Sequence, residues 1–106
     1  MNDRNITWNG FTRHVTKMLQ HMLVSTEYSD VTIVCEDDVK LKAHKVVLGS
    51  CSPLLKAKID EIRTREVEID MKEINHTEME MILKFMYLGN AAKEVIAFSM
   101  QFKFCS

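Results

Sequence analysis

Proline and glycine are scarce in this chain, at one and three in 106 residues. Little of it therefore reads as linker, and the length gives room for one small domain with a modest core. A surplus of charge is also missing. Lys and Arg number 14 against 15 Asp and Glu, for a formal net charge of −1. A nucleic-acid module of this size carries a basic stripe, so direct contact with DNA or RNA is not expected. No apolar run approaches the roughly 18 residues of a membrane span. Residues Met1–Gly10 are polar where a secretory signal is apolar, so neither a membrane nor the secretory route is expected. The cysteines Cys35, Cys51 and Cys105 are odd in number and lack paired spacing, which favours free thiols in a reducing compartment. The sequons at Asn5-Ile6-Thr7 and Asn75-His76-Thr77 are then coincidental.

Residues that carry chemistry are sparse too. His14 and His21 stand seven apart, whereas a helical metal pair needs a spacing of about three or four. There is no Cys-x-x-Cys, and Cys35 and Cys51 lie in apolar runs that suit buried thiols better than nucleophiles. The scattered glycines form no phosphate loop. Asp37-Asp38 has the look of a turn, and Glu78 and Glu80 of a solvated helix edge. The eight methionines read mostly as core filling, with a few available for an adaptable contact surface. The expectation is a chain with no catalytic site, no cofactor and no metal, and so not an enzyme.

Hydrophobic periodicity gives the elements. Across residues Phe11 to Val24, the side chains of Phe11, Val15, Met18, Leu19 and Met22 fall on one arc of a helix, with Arg13, Lys17, Gln20 and His21 opposite. Such a helix either caps its own core or shares its apolar face with a partner. Val31–Cys35 is a β-branched run that predicts a largely buried strand. Asp37-Asp38 suits a tight turn, and Val39–His44 alternates as a half-exposed strand, giving a hairpin. Lys45–Cys51 is an apolar segment that predicts a short buried helix ending near Gly49-Ser50. Ser52-Pro53 predicts the cap and first residue of another, running to about Ile62. Val67–Asp70 alternates again. Asn75 and Glu78 have capping-box spacing, Ile74 and Met79 staple spacing, and Met79, Ile82, Leu83 and Met86 form an inward stripe ending at Gly89-Asn90. The order helix, hairpin, two helices, strand, helix is an α+β layout.

Asp30 and Lys45 stand beside apolar runs where an unpaired charge is costly. Either they pair at the edge of the core, or each points to water at a strand end.

Several segments resemble the signature of the BTB/POZ family: Ser29-Asp30-Val31-Thr32-Ile33-Val34, Leu41-Lys42-Ala43-His44-Lys45-Val46-Val47-Leu48 and Ser50-Cys51-Ser52-Pro53. Phe85-Met86-Tyr87-Leu88-Gly89 is similar to that family's later aromatic-x-Tyr-x-Gly motif. The opening Ile6-Thr7-Trp8-Asn9-Gly10-Phe11 resembles the start of the Tramtrack-type subgroup of insect BTB proteins. Gly10 there replaces an Asn, Arg4 stands in place of an apolar residue, and Leu54-Leu55 replaces an aromatic pair.

The resemblance implies a BTB/POZ fold, a cluster of helices flanked by a short, mainly three-stranded sheet. It implies residues 1–10 as an N-terminal segment that is exchanged as a strand, 11–90 as the BTB domain, and 91–106 as a divergent or truncated terminal helix and tail. Ala91-Ala92-Lys93-Glu94-Val95 looks like a helix expected further downstream in the family. It also implies a homodimer or higher oligomer, with Ile6, Trp8, Phe11, Val15, Met18, Leu19 and Met22 at the dimer interface. Asp30 and Lys45 match a charged pair near the dimer groove. The function implied is self-association of a transcription or chromatin regulator, in the nucleus or else the cytoplasm, with other BTB proteins or corepressors as further partners. The alternative is a substrate adaptor that docks on a cullin-3 ubiquitin ligase through Pro53–Ile62.

Overall fold

Two alternating patterns set the sheet of the computed structural model, which describes residues 5–89. Strand β1 (Val31–Cys35) buries Val31, Ile33 and Cys35 and leaves Thr32 and Val34 half-covered. Strand β2 (Lys40–Ala43) returns antiparallel to it, with Ile33 opposite Leu41. Strand β2 is shorter than the expected Val39–His44 run. Asp38 takes a left-handed turn conformation (φ 62°), and Val39 only closes the hairpin, accepting the Cys35 N–H at 3.0 Å. His44 has already left the ladder to cap the next helix. Strand β3 (Val67–Met71) buries Val67, Ile69 and Met71 and runs parallel to β1, giving the order β2-β1-β3.

Helix α1 spans Phe11–Val24, as its periodicity predicts. It begins at Gly10, whose φ of 82° suits a residue without Cβ. Helix α2 (Lys45–Cys51) buries Leu48 alone. Helix α3 (Pro53–Glu61) starts where Ser52 Oγ accepts the Leu55 N–H at 3.1 Å, with Pro53 at the first position. It buries Leu55 and Ile59 and stops at Ile62, which turns extended.

Helix α4 (His76–Leu88) is capped by Asn75 Oδ1, which accepts the Glu78 N–H at 2.9 Å. Ile74 and Met79 are fully buried on either side of this cap, where the staple spacing puts them. Gly89, at φ 78°, ends the helix in the left-handed conformation. Its buried stripe is Met79, Ile82, Leu83 and Tyr87, while Met86 is only half-covered. The core lies between the sheet and helices α2, α3 and α4, with α1 laid against α4. The fold is therefore α+β, a cluster of helices flanked by a three-stranded mixed sheet. The expected terminal segment 91–106 lies outside the described residues.

Candidate docking interface

The apolar arc of α1 divides in two. Leu19, Met22 and Leu23 pack half-buried against the core. Phe11 and Met18 on the same arc stay 52% and 45% exposed, and Val15 is half-covered. No residue of α1 is fully buried, although the helix is strongly amphipathic. Its exposed stripe thus continues the core to the surface, where an apolar side chain still gains from leaving water.

The segment before α1 extends this stripe. Trp8 meets Phe11 edge-on, with ring centroids 5.2 Å apart, and lies 4.7 Å from the His14 ring. The Trp8 carbonyl accepts the Phe11 N–H at 3.2 Å, folding the segment back onto the helix start. Trp8 is nonetheless 56% exposed and Ile6 is 95% exposed. Of the seven expected interface residues, Trp8, Phe11 and Met18 stay about half exposed, Val15, Leu19 and Met22 are partly covered, and Ile6 is 95% exposed.

Asp30 and Lys45 do meet, but their charged ends do not pair. Asp30 Oδ1 accepts the backbone N–H of Lys45 at 2.8 Å, and Lys45 Nζ reaches the Thr64 carbonyl at 3.2 Å. Lys45 is the first residue of α2, and the helix's own N-cap, His44, makes no side-chain cap bond. Asp30 therefore caps α2 from across the sheet edge. Of the two alternatives, an ion pair or two side chains in water, neither describes the Asp30 contact: its carboxylate satisfies an orphan helix donor.

Beside it lies a buried polar cluster that sequence reasoning missed. The Tyr87 hydroxyl accepts the His44 backbone N–H at 3.0 Å and stands 2.8 Å from His44 Nδ1. His44 Nε2 lies 3.0 Å from the Glu27 carbonyl, which can only accept. Every group is satisfied when Nε2 carries the ring proton and Nδ1 accepts from the hydroxyl. Burial pushes the Tyr87 phenol up to about 12. The same cause raises the Cys35 thiol, helped by the nearby charges of Asp37 and Glu80, so Cys35 is an inert buried thiol.

An apolar helix face left on the surface of a small α+β domain is the kind of patch through which interaction modules bind. The family model for the BTB/POZ domain matches residues 19–100. The chain is 34% identical over 84 residues to Longitudinals lacking protein-like of Drosophila melanogaster, covering 79% of this chain and 65% of that protein. It is 31% identical to bric-a-brac 1 of the same organism, over 79% of this chain and 8% of that protein. With the alpha isoform of tramtrack the identity is 28%, over 82% of this chain and 11% of that one. The chain thus spans about two thirds of the first of these relatives and a small part of the others. The solved BTB domain of zebrafish PATZ1 shares the fold, with a TM-score of 0.71 at 20% identity over 95% of this chain and 88% of that one. This chain belongs to the BTB/POZ family, a protein–protein interaction module.

Proposed function

We propose that this domain pairs with a second copy of itself through the exposed face of α1 and the Trp8 segment in front of it. The observation that carries this reading is the divided arc. Leu19, Met22 and Leu23 anchor the helix to its own core, while Phe11, Met18 and Trp8 stand partly in water on the same surface. Covering the exposed part of each such side chain is worth roughly 1 kcal/mol. A two-fold axis counts every contact twice, because the same patch serves both copies. Sedimentation equilibrium of the full chain tests the proposal, with a species of twice the chain mass as the expected result. A strictly monomeric chain at high micromolar concentration would sink it.

The family resemblance supports a finer reading, in which this module gathers copies of a transcription or chromatin regulator in the nucleus. Other BTB proteins and corepressors are then its further partners. Fluorescence microscopy of the full-length tagged protein tests this, and exclusion from the nucleus is the contrary result.

A further inference from the structure

Among the described residues the sheet has an open edge at β2. In the β1–β2 ladder the Cys35 N–H donates to the Val39 carbonyl, and Ile33 stands opposite Leu41. Hydrogen-bonded and non-bonded pairs alternate along an antiparallel ladder, so Leu41 turns its backbone groups toward β1. Lys40 and Lys42 turn theirs the other way. Among the described residues, no hydrogen bond outside the ladder reaches the backbone N–H or carbonyl of either lysine.

A groove of about 510 Å³ runs along this edge, bounded by the C-terminal end of α1 and by α4. Leu23, Leu41 and Leu83 give it an apolar floor. Its charged lining is Lys40, Lys42 and Lys84 against Glu80 alone. On the solvent face Lys42 Nζ holds the Thr32 hydroxyl at 2.8 Å, and Lys40 Nζ is 3.8 Å from Glu68, both ends of that ion pair being well exposed. Neither lysine is therefore strongly committed.

We propose that the β2 edge is a strand-addition site for an extended acidic peptide in which one apolar residue lies between two carboxylates. Side chains alternate between the two faces of a strand. A peptide residue opposite Leu41 drops onto the leucine floor, and its two neighbours stand on the solvent face opposite Lys40 and Lys42. Those two neighbours are also the ones whose backbone groups meet the free groups of Lys40 and Lys42. Main-chain bonds then supply affinity, and the acidic-apolar-acidic pattern supplies choice. Lysines on an open edge also repel a like edge, which a carboxylate partner turns into attraction.

The test titrates the ¹⁵N-labelled full chain with a short capped peptide centred on Glu-Val-Glu. The amide signals of Lys40 and Lys42 should shift and gain protection from exchange. The double variant K40E/K42E should bind about tenfold more weakly. A peptide methylated on the backbone nitrogens that face β2 should not bind. Three results would each overturn the proposal: equal binding of a Lys-Val-Lys peptide, shifts confined to α1, or no shift at millimolar peptide.

Discussion

The Tyr87 hydroxyl is bonded to both the backbone and the ring of His44, a residue 43 positions earlier in the chain. The contact ties the end of β2 to the last turn of α4. Through His44 Nε2 and the Glu27 carbonyl it also holds the loop that follows α1. Two segments carrying separate stretches of the family signature are thus joined at one buried hydroxyl, and the His44 ring passes the connection on to the loop before β1. Removing that oxygen leaves a buried N–H and a ring nitrogen without partners, which costs more than the bond itself contributes.

Tyr87→Phe should therefore lower unfolding stability by about 1–3 kcal/mol, although the ring keeps its packing. Urea unfolding followed by circular dichroism measures this. A midpoint unchanged from wild type would show that the hydroxyl has no structural role.

Alkaline pH tests the same group differently. Tyr87 is raised from 10.0 to about 12 by burial, so its folded form holds the proton longer than the unfolded chain does. Below the unfolded value both states are protonated and nothing is lost. Between 10 and about 12 only the unfolded chain ionises, so stability falls by about 1.4 kcal/mol per pH unit across that window. A Tyr28→Phe variant leaves Tyr87 as the sole tyrosine, and its absorbance near 295 nm should appear only with alkaline unfolding. Phenolate formed in a still-folded chain below pH 11 contradicts the prediction.

The exposed turn between β1 and β2 should respond at milder pH. Asp37 accepts a hydrogen bond from His76 Nδ1 at the start of α4. This bond lowers the Asp37 carboxyl below 3.8 and raises the His76 imidazole above 6.5. The stabilisation from His76 is full below 6.5 and is lost as pH rises through its raised folded value. That from Asp37 is full above 3.8 and is lost as pH falls through its lowered one. The clasp is therefore strongest between those two values. A proton NMR titration should place His76 above its ordinary midpoint, and Asp37→Asn should bring it back. No difference between the two titrations would dissolve the clasp.

Periodicity made much of this architecture legible. The bounds of α1, the alternation of β3 and the cap of α4 at Asn75 follow from spacing, because each depends on neighbours within a turn or two. The parallel pairing of β3 with β1 and the His44–Tyr87 bond join residues far apart, and no local pattern encodes them. Asp30 and Lys45 show an intermediate case. Their types and positions marked a constrained edge, but sequence could not say whether the carboxylate would meet an ammonium group or a backbone N–H. At the candidate interface the helical arc was visible, but its division into core-facing and water-facing residues required the position of α4.

The capping role of Asp30 separates two substitutions that a simple ion pair would make equivalent. Asp30→Ala should cost about 1–2 kcal/mol, because the N–H at the start of α2 loses its acceptor. Lys45→Met keeps that N–H and loses only the exposed contact to Thr64, so it should cost no more than about 0.5 kcal/mol. Thermal unfolding of the two variants decides the matter, and equal losses would restore the ion-pair reading.

The two halves of the α1 arc should also separate under mutation. Met18 is 45% exposed and outside the core cluster, whereas Leu19 packs against it. Met18→Glu places a charge where a second copy would bury the side chain, while in a lone domain the carboxylate stays solvated. It should raise the dimer dissociation constant at least about tenfold, with unfolding of the domain changed by less than about 0.5 kcal/mol. Leu19→Ala removes packing from the half-buried side and should lower domain stability itself by about 1–2 kcal/mol. Sedimentation and urea unfolding of both variants form a two-by-two comparison. If Met18→Glu left association intact while Leu19→Ala abolished it without loss of stability, the contact between copies would lie on the Leu19 side of the arc and not on the Met18 side.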